Sequence, residues 1–146
     1  MQKIAIINGP NLNLLGTREP QIYGVHIFDD YYASLQAKNL HCKLHYFQSN
    51  VEGEIINYLH ECLAEKFDGI IINAGAYTHT SIAIADAIAA INIPTVEVHI
   101  SNVMAREEYR KTSFLATKCV GSISGLGLKG YELALLYFIS TEKVNE

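Results

Sequence analysis

Several residue types that mark particular protein classes are scarce in this sequence of 146 residues. It contains no tryptophan, only three prolines and only three cysteines. Cys42, Cys62 and Cys119 are an odd number at wide spacing, so a disulfide framework is not expected, and each lies in an apolar run typical of a buried, unreactive thiol. Charged residues make up 18% of the chain and apolar residues 49%, which predicts a packed globular protein rather than a disordered one.

Runs of basic residues and long apolar runs are also missing. The net charge of −4, with no cluster of lysine or arginine, does not favour binding to nucleic acid. No apolar stretch reaches the roughly 18–20 residues that cross a bilayer. The segment Met1–Asn8 lacks the charged start and long apolar middle of a signal peptide. We therefore expect a cytoplasmic protein that binds neither membranes nor nucleic acid.

Strand and helix patterns alternate along the chain. The predicted strands are Lys3–Asn8, His41–Phe47, Asp68–Asn73, Thr95–Ile100 and Cys119–Ile123. The predicted helices are Ile27–Lys38, Glu54–Lys66, Ser81–Ile91 and Lys129–Ser140. The continuous Gly-Ile-Ile-Ile run in the third strand is typical of a strand buried on both faces. The pattern predicts the α/β class, with one doubly wound parallel sheet in a single domain over residues 1–146.

Polar residues collect in the segments that directly follow the strands. Ligands of open parallel sheets bind beyond the carboxyl ends of the strands, so a site is expected there. Among the six histidines, only His79 and His99 fall at such strand ends. The others are expected at or near the surface: His26, His41, His45 and His60. No HExxH motif and no cysteine pair at ligand spacing is present, so no metal site is predicted.

A glycine pattern, Gly125-Leu-Gly-Leu-Lys-Gly130, matches the dinucleotide fingerprint but lacks its context. The chain ends before the next strand, which would carry the acidic residue of that fingerprint. We interpret the pattern as a tight turn and helix start, and contact with the anion of a ligand is the less favoured alternative. The loop after the first strand has no Gly-Lys-Ser/Thr, so nucleoside triphosphate chemistry is not predicted.

The loop Gly9–Gly24 is far longer than the usual strand-to-helix connection of about 2–6 residues. Its length and apolar content favour a functional loop, with a packed Ω-loop as the alternative. A guanidinium at Arg18 within about 4 Å of the Tyr23 phenol would favour the phenolate by up to ~4 kcal/mol at an effective dielectric constant near 20. Such a contact would bring the phenol towards the pKa of a general base at neutral pH.

The segment Ser81–Ile91 is apolar nearly all round, which is typical of a helix covered on more than one side. In a chain of this size the second cover is expected to be another subunit. Asp86 lies in the middle of this helix, and a carboxylate there needs a partner. Two interpretations stay open: a structural partner, or a role at a site between subunits.

Five motifs, in order along the chain, resemble those of type II 3-dehydroquinate dehydratases, and the similarity runs from about Lys3 to Tyr137. The motifs are Asn8–Pro20 (NGPNLNLLGTREP) with Tyr23-Gly24, Gln48–Glu54 (QSNVEGE), Ile72–Ser81 (INAGAYTHTS), Glu97–Asn102 (EVHISN) with Ala105–Arg110 (AREEYR), and Gly125–Gly127 with Gly130–Leu135 (GYELAL). The resemblance implies a flavodoxin-like fold with strand order 2-1-3-4-5, assembled as a homododecamer of four trimers.

The implied reaction is the anti elimination of water from 3-dehydroquinate, giving 3-dehydroshikimate in the shikimate pathway, without a metal, a Schiff base or another cofactor. By this resemblance Tyr23, with Arg18 beside it, removes the proton next to the ketone. A water held by Asn11 stabilises the enolate, and His99 protonates the departing hydroxyl.

The resemblance also implies a set of residues that hold the hydroxyls and carboxylate of the substrate. They are Asn73, His79, Ile100 and Ser101 through their backbone, Arg110, and Asp86 from a neighbouring subunit. Arg106 ranks behind Arg110. The departures from the usual family pattern, at Val51, Ala74, Met104 and Ile27-Phe28, fall on positions to which no role is assigned.

Two other classes of function remain as alternatives. A flavodoxin-like sensor that binds a small anion would keep Arg110 and the long loop but would not need a tyrosine–arginine pair. A structural oligomer built on the helix around Asp86 would explain that helix alone.

Overall fold

A computed structural model describes residues 1–16 and 27–142 of the chain. Five parallel strands form one sheet in the order β2-β1-β3-β4-β5. Their bounds are β1 Gln2–Asn8, β2 Cys42–Gln48, β3 Gly69–Asn73, β4 Thr95–His99 and β5 Gly121–Ser124. Both the flavodoxin-like class and the strand order are confirmed. The largest error is in the last strand, which begins two residues later than predicted.

Within the described part of the chain, four α-helices connect and cover the strands. They are α1 Phe28–Lys38, α2 Glu52–Ala64, α3 Ile82–Ile91 and α4 Lys129–Glu142. The predicted bounds of α2 were two residues too late at both ends. The helix ends at Ala64 because Lys66 takes a left-handed conformation (φ 56°) and the N–H of Phe67 donates to the carbonyl of Cys62 at 3.0 Å.

The sheet is buried on both faces, each covered by a pair of helices. Alternate residues of β1 separate the two sides: Ile4 and Ile6 pack with α1 and α4, whereas Ala5 and Ile7 pack with α2 and α3. All five residues of β3 are buried, as its unbroken apolar run predicted. This sandwich leaves the carboxyl ends of the strands as the edge where polar side chains gather.

Short 3₁₀ helices, which were not predicted from the sequence, occupy much of the chain that follows the strands. They are Leu12–Leu14, Gly75–His79, Val103–Ala105, Glu108–Lys111 and Ala116–Lys118. A segment of one turn is too short to show a helical period, which is why the pattern of apolar residues gives no sign of them.

Two of the three cysteines, and three of the four histidines expected at or near the surface, lie where the sequence predicted. Cys42 and Cys62 are buried and free, but Cys119 is only half-buried. Burial raises the pKa of both the Cys62 and Cys119 thiols to about 12, so these groups stay protonated at neutral pH. Of the histidines expected near the surface, His41 and His60 are exposed and His45 is half-buried, and His26 lies outside the described residues.

No helix within residues 1–16 and 27–142 is long and apolar enough to cross a membrane. In the same ranges, no group of three or more histidine, cysteine, aspartate or glutamate side chains is arranged to hold a metal ion.

Candidate active site

A pocket opens beyond the carboxyl ends of β1, β3 and β4. It lies where the strand order reverses, because the chain leaves β1 for β2 on one side and then returns to β3 on the other. Its wall consists of residues that end or follow these three strands: Pro10, Asn11, Leu12, Asn73, Gly75, Ala76, His79, His99, Ile100, Ser101, Val103, Arg106 and Arg110. The fold thus brings seven of the ten site residues named from the sequence to one pocket.

His99 ends β4 beside a buried carboxylate. The alternation of a strand puts Glu97 and His99 on one face, and Nε2 of His99 lies 3.0 Å from Oε1 of Glu97. The contact does not meet the geometry of a hydrogen bond, so it is a close approach of the ring nitrogen to the carboxylate oxygen. Both residues are nearly inaccessible, with 6% and 2% of their surface exposed.

Glu97 is held in its charged form by its neighbours. Burial acts to raise the pKa of this carboxyl, but contacts with His99, Ser113 and Ser122 outweigh it and leave the pKa below its ordinary value. The hydroxyl of Ser113 donates to Oε2 at 2.5 Å, and that of Ser122 donates to Oε1 at 3.3 Å. No role was predicted for Glu97 from the sequence, although a glutamate two residues before a site histidine on a buried strand was a usable signal.

His79 lies next to His99 in the pocket wall. Its Nδ1 lies 2.7 Å from the carbonyl oxygen of Thr112. Because a carbonyl only accepts, Nδ1 carries the hydrogen, and Nε2 is left for other partners. The two imidazole rings are 6.3 Å apart between centroids, with planes inclined by 22°. The pocket therefore has two histidines side by side, each anchored by a different neighbour.

Asn73 ends β3 in a buried chain of hydrogen bonds. Its Nδ2 donates to the hydroxyl of Tyr131 at 2.9 Å, and that hydroxyl donates to Oδ1 of Asn8 at 2.7 Å. Oδ1 of Asn73 accepts from the N–H of Gly75 at 3.2 Å. Burial raises the pKa of the Tyr131 phenol far above its ordinary value, so the hydroxyl keeps its proton. These contacts fix the amide of Asn73 at the pocket wall.

Two glycines allow the backbone to pass close to this edge. A Cβ atom on Gly9 would lie 2.3 Å from the carbonyl oxygen of Ala74, so only glycine fits where the loop leaves β1. Gly75 has a positive φ of 59°, a conformation that glycine adopts without steric cost.

Asn11 is positioned by the segment that follows β2. It takes a left-handed conformation with φ 69°, which asparagine tolerates better than most residues. Its N–H donates to Oδ1 of Asn50 at 2.9 Å, and Nε2 of Gln48 donates to the same oxygen at 3.1 Å. The hydroxyl of Tyr77 donates to the carbonyl of Asn50 at 2.7 Å. These hydrogen bonds connect the segments that follow β1, β2 and β3.

Two guanidinium groups line the pocket on the side of β4. Nη1 of Arg106 donates to Oγ of Ser101 at 3.1 Å, and Nε of Arg110 donates to Oε2 of Glu107 at 2.7 Å. A hydrogen bond within Glu107 and the contact with Arg110 keep the pKa of Glu107 below its ordinary value. From the sequence, Arg106 ranked behind Arg110, whereas the fold places both residues in the pocket wall. Their guanidinium groups give this wall positive charge, which suits an anion.

Comparison with known proteins places this geometry in a family. The family model described as dehydroquinase class II matches residues 2–139. The chain belongs to the class II dehydroquinase family. A relative named 3-dehydroquinate dehydratase from Caldicellulosiruptor saccharolyticus is 58% identical over 137 residues, which cover 92% of this chain and 94% of that protein. Another of the same name, from Fusobacterium nucleatum, is 54% identical over 143 residues, covering 94% and 96%.

Solved structures of the family agree with the fold. A type II dehydroquinase from Butyrivibrio crossotus superposes with a TM-score of 0.91 at 46% identity, over 94% of this chain and 97% of the other. One from Propionibacterium acnes gives a TM-score of 0.91 at 42% identity, over 96% and 97%. The family resemblance read from the five motifs is confirmed.

Of the predicted site residues that the structure describes, only Asp86 does not line the pocket. Arg18 and Tyr23 lie outside the described residues, so the contact between them stays a prediction. Asp86 is exposed on α3, on the side of the helix that faces away from the sheet. That side is otherwise apolar, consisting of Ile82, Ala83, Ala89 and Ala90, and Ile82 is 62% exposed. In a single chain, α3 is therefore covered on one side only.

The glycine pattern before α4 is a turn, as predicted. Gly125 and Gly127 have positive φ angles of 86° and 62°, and their N–H groups donate to the carbonyls of His99 and Ile100 at 3.1 and 3.0 Å. Neither glycine lines the pocket described above, and the helix begins directly afterwards at Lys129. The turn supports the end of β4 and so the position of His99.

Proposed function

We propose that this protein is a 3-dehydroquinate dehydratase, a carbon–oxygen lyase that converts 3-dehydroquinate to 3-dehydroshikimate by anti elimination of water, with Tyr23 as base and His99 as acid. The observation that carries the proposal is the pairing of His99 with the ionised Glu97 in a pocket that two guanidinium groups also line. A protein that only sensed an anion would need the guanidinium groups but not a histidine held by a buried carboxylate.

The first step removes a proton from the carbon next to the ketone. The phenolate of Tyr23 takes that proton, and the electron pair of the C–H bond moves to the ketone oxygen as an enolate. Arg18 beside Tyr23 favours the phenolate, as an opposite charge does. A water held by Asn11 donates to the enolate oxygen, where negative charge builds up. The hydrogen bond from Asn11 to Asn50 supports this role because it fixes the backbone at that point.

The second step expels the hydroxyl. The enolate returns its electrons to form a carbon–carbon double bond conjugated with the ketone, the carbon–oxygen bond breaks, and His99 gives a proton to the leaving oxygen, so that water departs. The carboxylate of Glu97 next to Nε2 stabilises the protonated imidazole and holds its ring. Nδ1 is then the nitrogen left to face the substrate.

The substrate is held by a cationic side chain and by neutral groups. Arg110, together with the backbone of Ile100 and Ser101, binds the carboxylate, since a guanidinium offers paired donors to such a group. His79 and Asn73 bind hydroxyls of the ring. The position of these residues around one pocket supports the assignment.

The working enzyme is a homododecamer of four trimers in which Asp86 reaches the site of a neighbouring chain. The open apolar side of α3 supports this assembly, because a helix face of isoleucine and alanine is stable when covered. As one catalytic domain, the protein acts in the cytoplasm, in the shikimate pathway of aromatic amino-acid biosynthesis.

A direct test is to add 3-dehydroquinate to purified protein in buffer containing a chelator and to follow the ultraviolet absorbance of the conjugated product. We expect turnover by the wild type and by His60→Ala, which changes an exposed histidine of α2, and almost none by His99→Ala. Absence of turnover by the wild type would contradict the proposal.

A further inference from the structure

We propose that Tyr131 is a positioning residue of this active site, whose buried hydroxyl sets the orientation of the Asn73 amide that faces the substrate. The inference rests on the proposed function, since it assigns a residue that supports the same reaction. Tyr131 itself does not line the pocket and acts only through Asn73.

The hydroxyl of Tyr131 sits between two strand ends. Asn8 and Asn73 are partners in the register of β1 and β3, so their side chains emerge side by side on the face covered by α4. Tyr131, near the start of α4, is fully buried, and its ring packs against that of Phe28 at 4.9 Å between centroids. Asn8 is fully buried as well, whereas 3% of Asn73 is exposed at the pocket.

The pattern of donors and acceptors permits only one orientation of the amide. A tyrosine hydroxyl has a single proton, and that proton is engaged with Oδ1 of Asn8. The hydroxyl therefore accepts from Nδ2 of Asn73. On the other side of the amide, the N–H of Gly75 requires an acceptor and finds Oδ1 of Asn73. If the Asn73 amide were flipped, its Nδ2 would face the N–H of Gly75, donor against donor. Its Oδ1 would face the Tyr131 hydroxyl, whose only proton is already donated to Asn8.

The orientation matters because it decides what Asn73 offers the substrate. With one N–H of Nδ2 engaged with Tyr131 and one lone pair of Oδ1 engaged with Gly75, the remaining N–H and the remaining lone pair have fixed directions. A hydroxyl of the substrate then meets a predetermined donor and acceptor. Without the phenol oxygen, the amide is held at Gly75 alone, and its alignment with the substrate is lost in part.

The test compares Tyr131→Phe with Tyr32→Phe in the assembled enzyme. Both changes remove a tyrosine hydroxyl that makes hydrogen bonds, but the hydroxyl of the half-buried Tyr32 donates to the backbone carbonyl of Leu44 at 2.9 Å, whereas that of Tyr131 contacts Asn73 and Asn8. We expect Tyr131→Phe to raise KM for 3-dehydroquinate on the order of tenfold with kcat changed by less than about threefold, as for loss of a hydrogen bond used equally in ground and transition states. Tyr32→Phe should leave both constants near those of the wild type.

A double-mutant cycle separates positioning from general loosening of the fold. In an Asn73→Ala background, the further change Tyr131→Phe should still lower the melting temperature but should no longer raise KM. An equal rise in KM in both backgrounds, or a KM for Tyr131→Phe no different from that of Tyr32→Phe, would overturn the inference. Either of these results would be obtained with a wild type that is active, so it would reject the role of Tyr131 alone. A wild type without turnover would instead reject the proposed function.

Discussion

Oε1 of Glu97 and Nε2 of His99 lie 3.0 Å apart at the carboxyl end of β4, both nearly closed to solvent. The alternation of the strand accounts for the pairing, since it places residues two apart on one face. Ser113 and Ser122 reach the same carboxylate from other parts of the chain. These contacts fix the position of the Glu97 carboxylate, so it can act on His99 during the reaction.

Replacement of Glu97 by glutamine tests the charge of this pair while it keeps the size of the side chain. We expect kcat to fall roughly 10- to 100-fold, because a neutral amide stabilises the protonated imidazole less well than a carboxylate does. Steady-state kinetics with 3-dehydroquinate measures the change. A kcat within a factor of two of the wild type would mean that His99 works without its neighbour.

The same carboxylate makes the stability of the protein depend on pH. The pKa of Glu97 is lower in the folded chain than in the unfolded chain, so its contribution is fully present above the unfolded value near 4.5. That contribution is lost as the pH falls through the lower, folded value. Urea unfolding between about pH 3 and 6 should therefore show a loss of stability on acidification that is shallower in Glu97→Gln. Equal slopes for the two proteins would contradict this assignment.

Arg110 is expected to contribute to binding of the substrate carboxylate. Loss of a hydrogen bond to a charged group costs about 1.5–3 kcal/mol, so Arg110→Ala should raise KM roughly 10- to 100-fold. Lys111→Ala is the matched control, because Lys111 is a neighbouring cation that pairs with Glu108 at the surface. Similar kinetic constants for the two variants would show that charge in this region acts only at long range.

The proposed contribution of Asp86 to a neighbouring site can be tested by mixing subunits. Asp86→Ala and His99→Ala should each be nearly inactive alone. If the two residues of one site come from different chains, random reassembly of equal amounts should restore roughly a quarter of the wild-type activity, because half the chains keep His99 and half the neighbours keep Asp86. Activity that stays at the level of the separate variants after confirmed mixing would place Asp86 in the site of its own chain or outside the chemistry.

The sheet was largely predictable because its signals are local. Five apolar runs gave the strands within two residues, and the unbroken run of β3 indicated burial on both faces. The ends of α2 were misplaced because a helix end depends on caps and left-handed residues such as Lys66 rather than on apolar spacing.

The site was predictable in part. His79, His99 and Arg110 follow strands, and parallel strands bring such residues to one edge. The role of Tyr131 was not read from the sequence because its partners are distant along the chain, whereas the partner of Glu97, His99, is only two residues away and could have been found from that spacing. Tyr131 is 58 residues from Asn73 and 123 from Asn8, and no periodic pattern records such a contact.

The central claim is that Tyr23 removes the proton and His99 releases the hydroxyl, and one measurement in deuterated water tests it most directly. Nuclear magnetic resonance follows both the entry of deuterium next to the ketone of 3-dehydroquinate and the formation of product. We expect Tyr23→Phe to lose both processes, by about 10²–10⁴-fold. We expect His99→Ala to lose product formation far more than exchange. Equal losses of exchange and dehydration in His99→Ala, or an active Tyr23→Phe, would contradict these two roles.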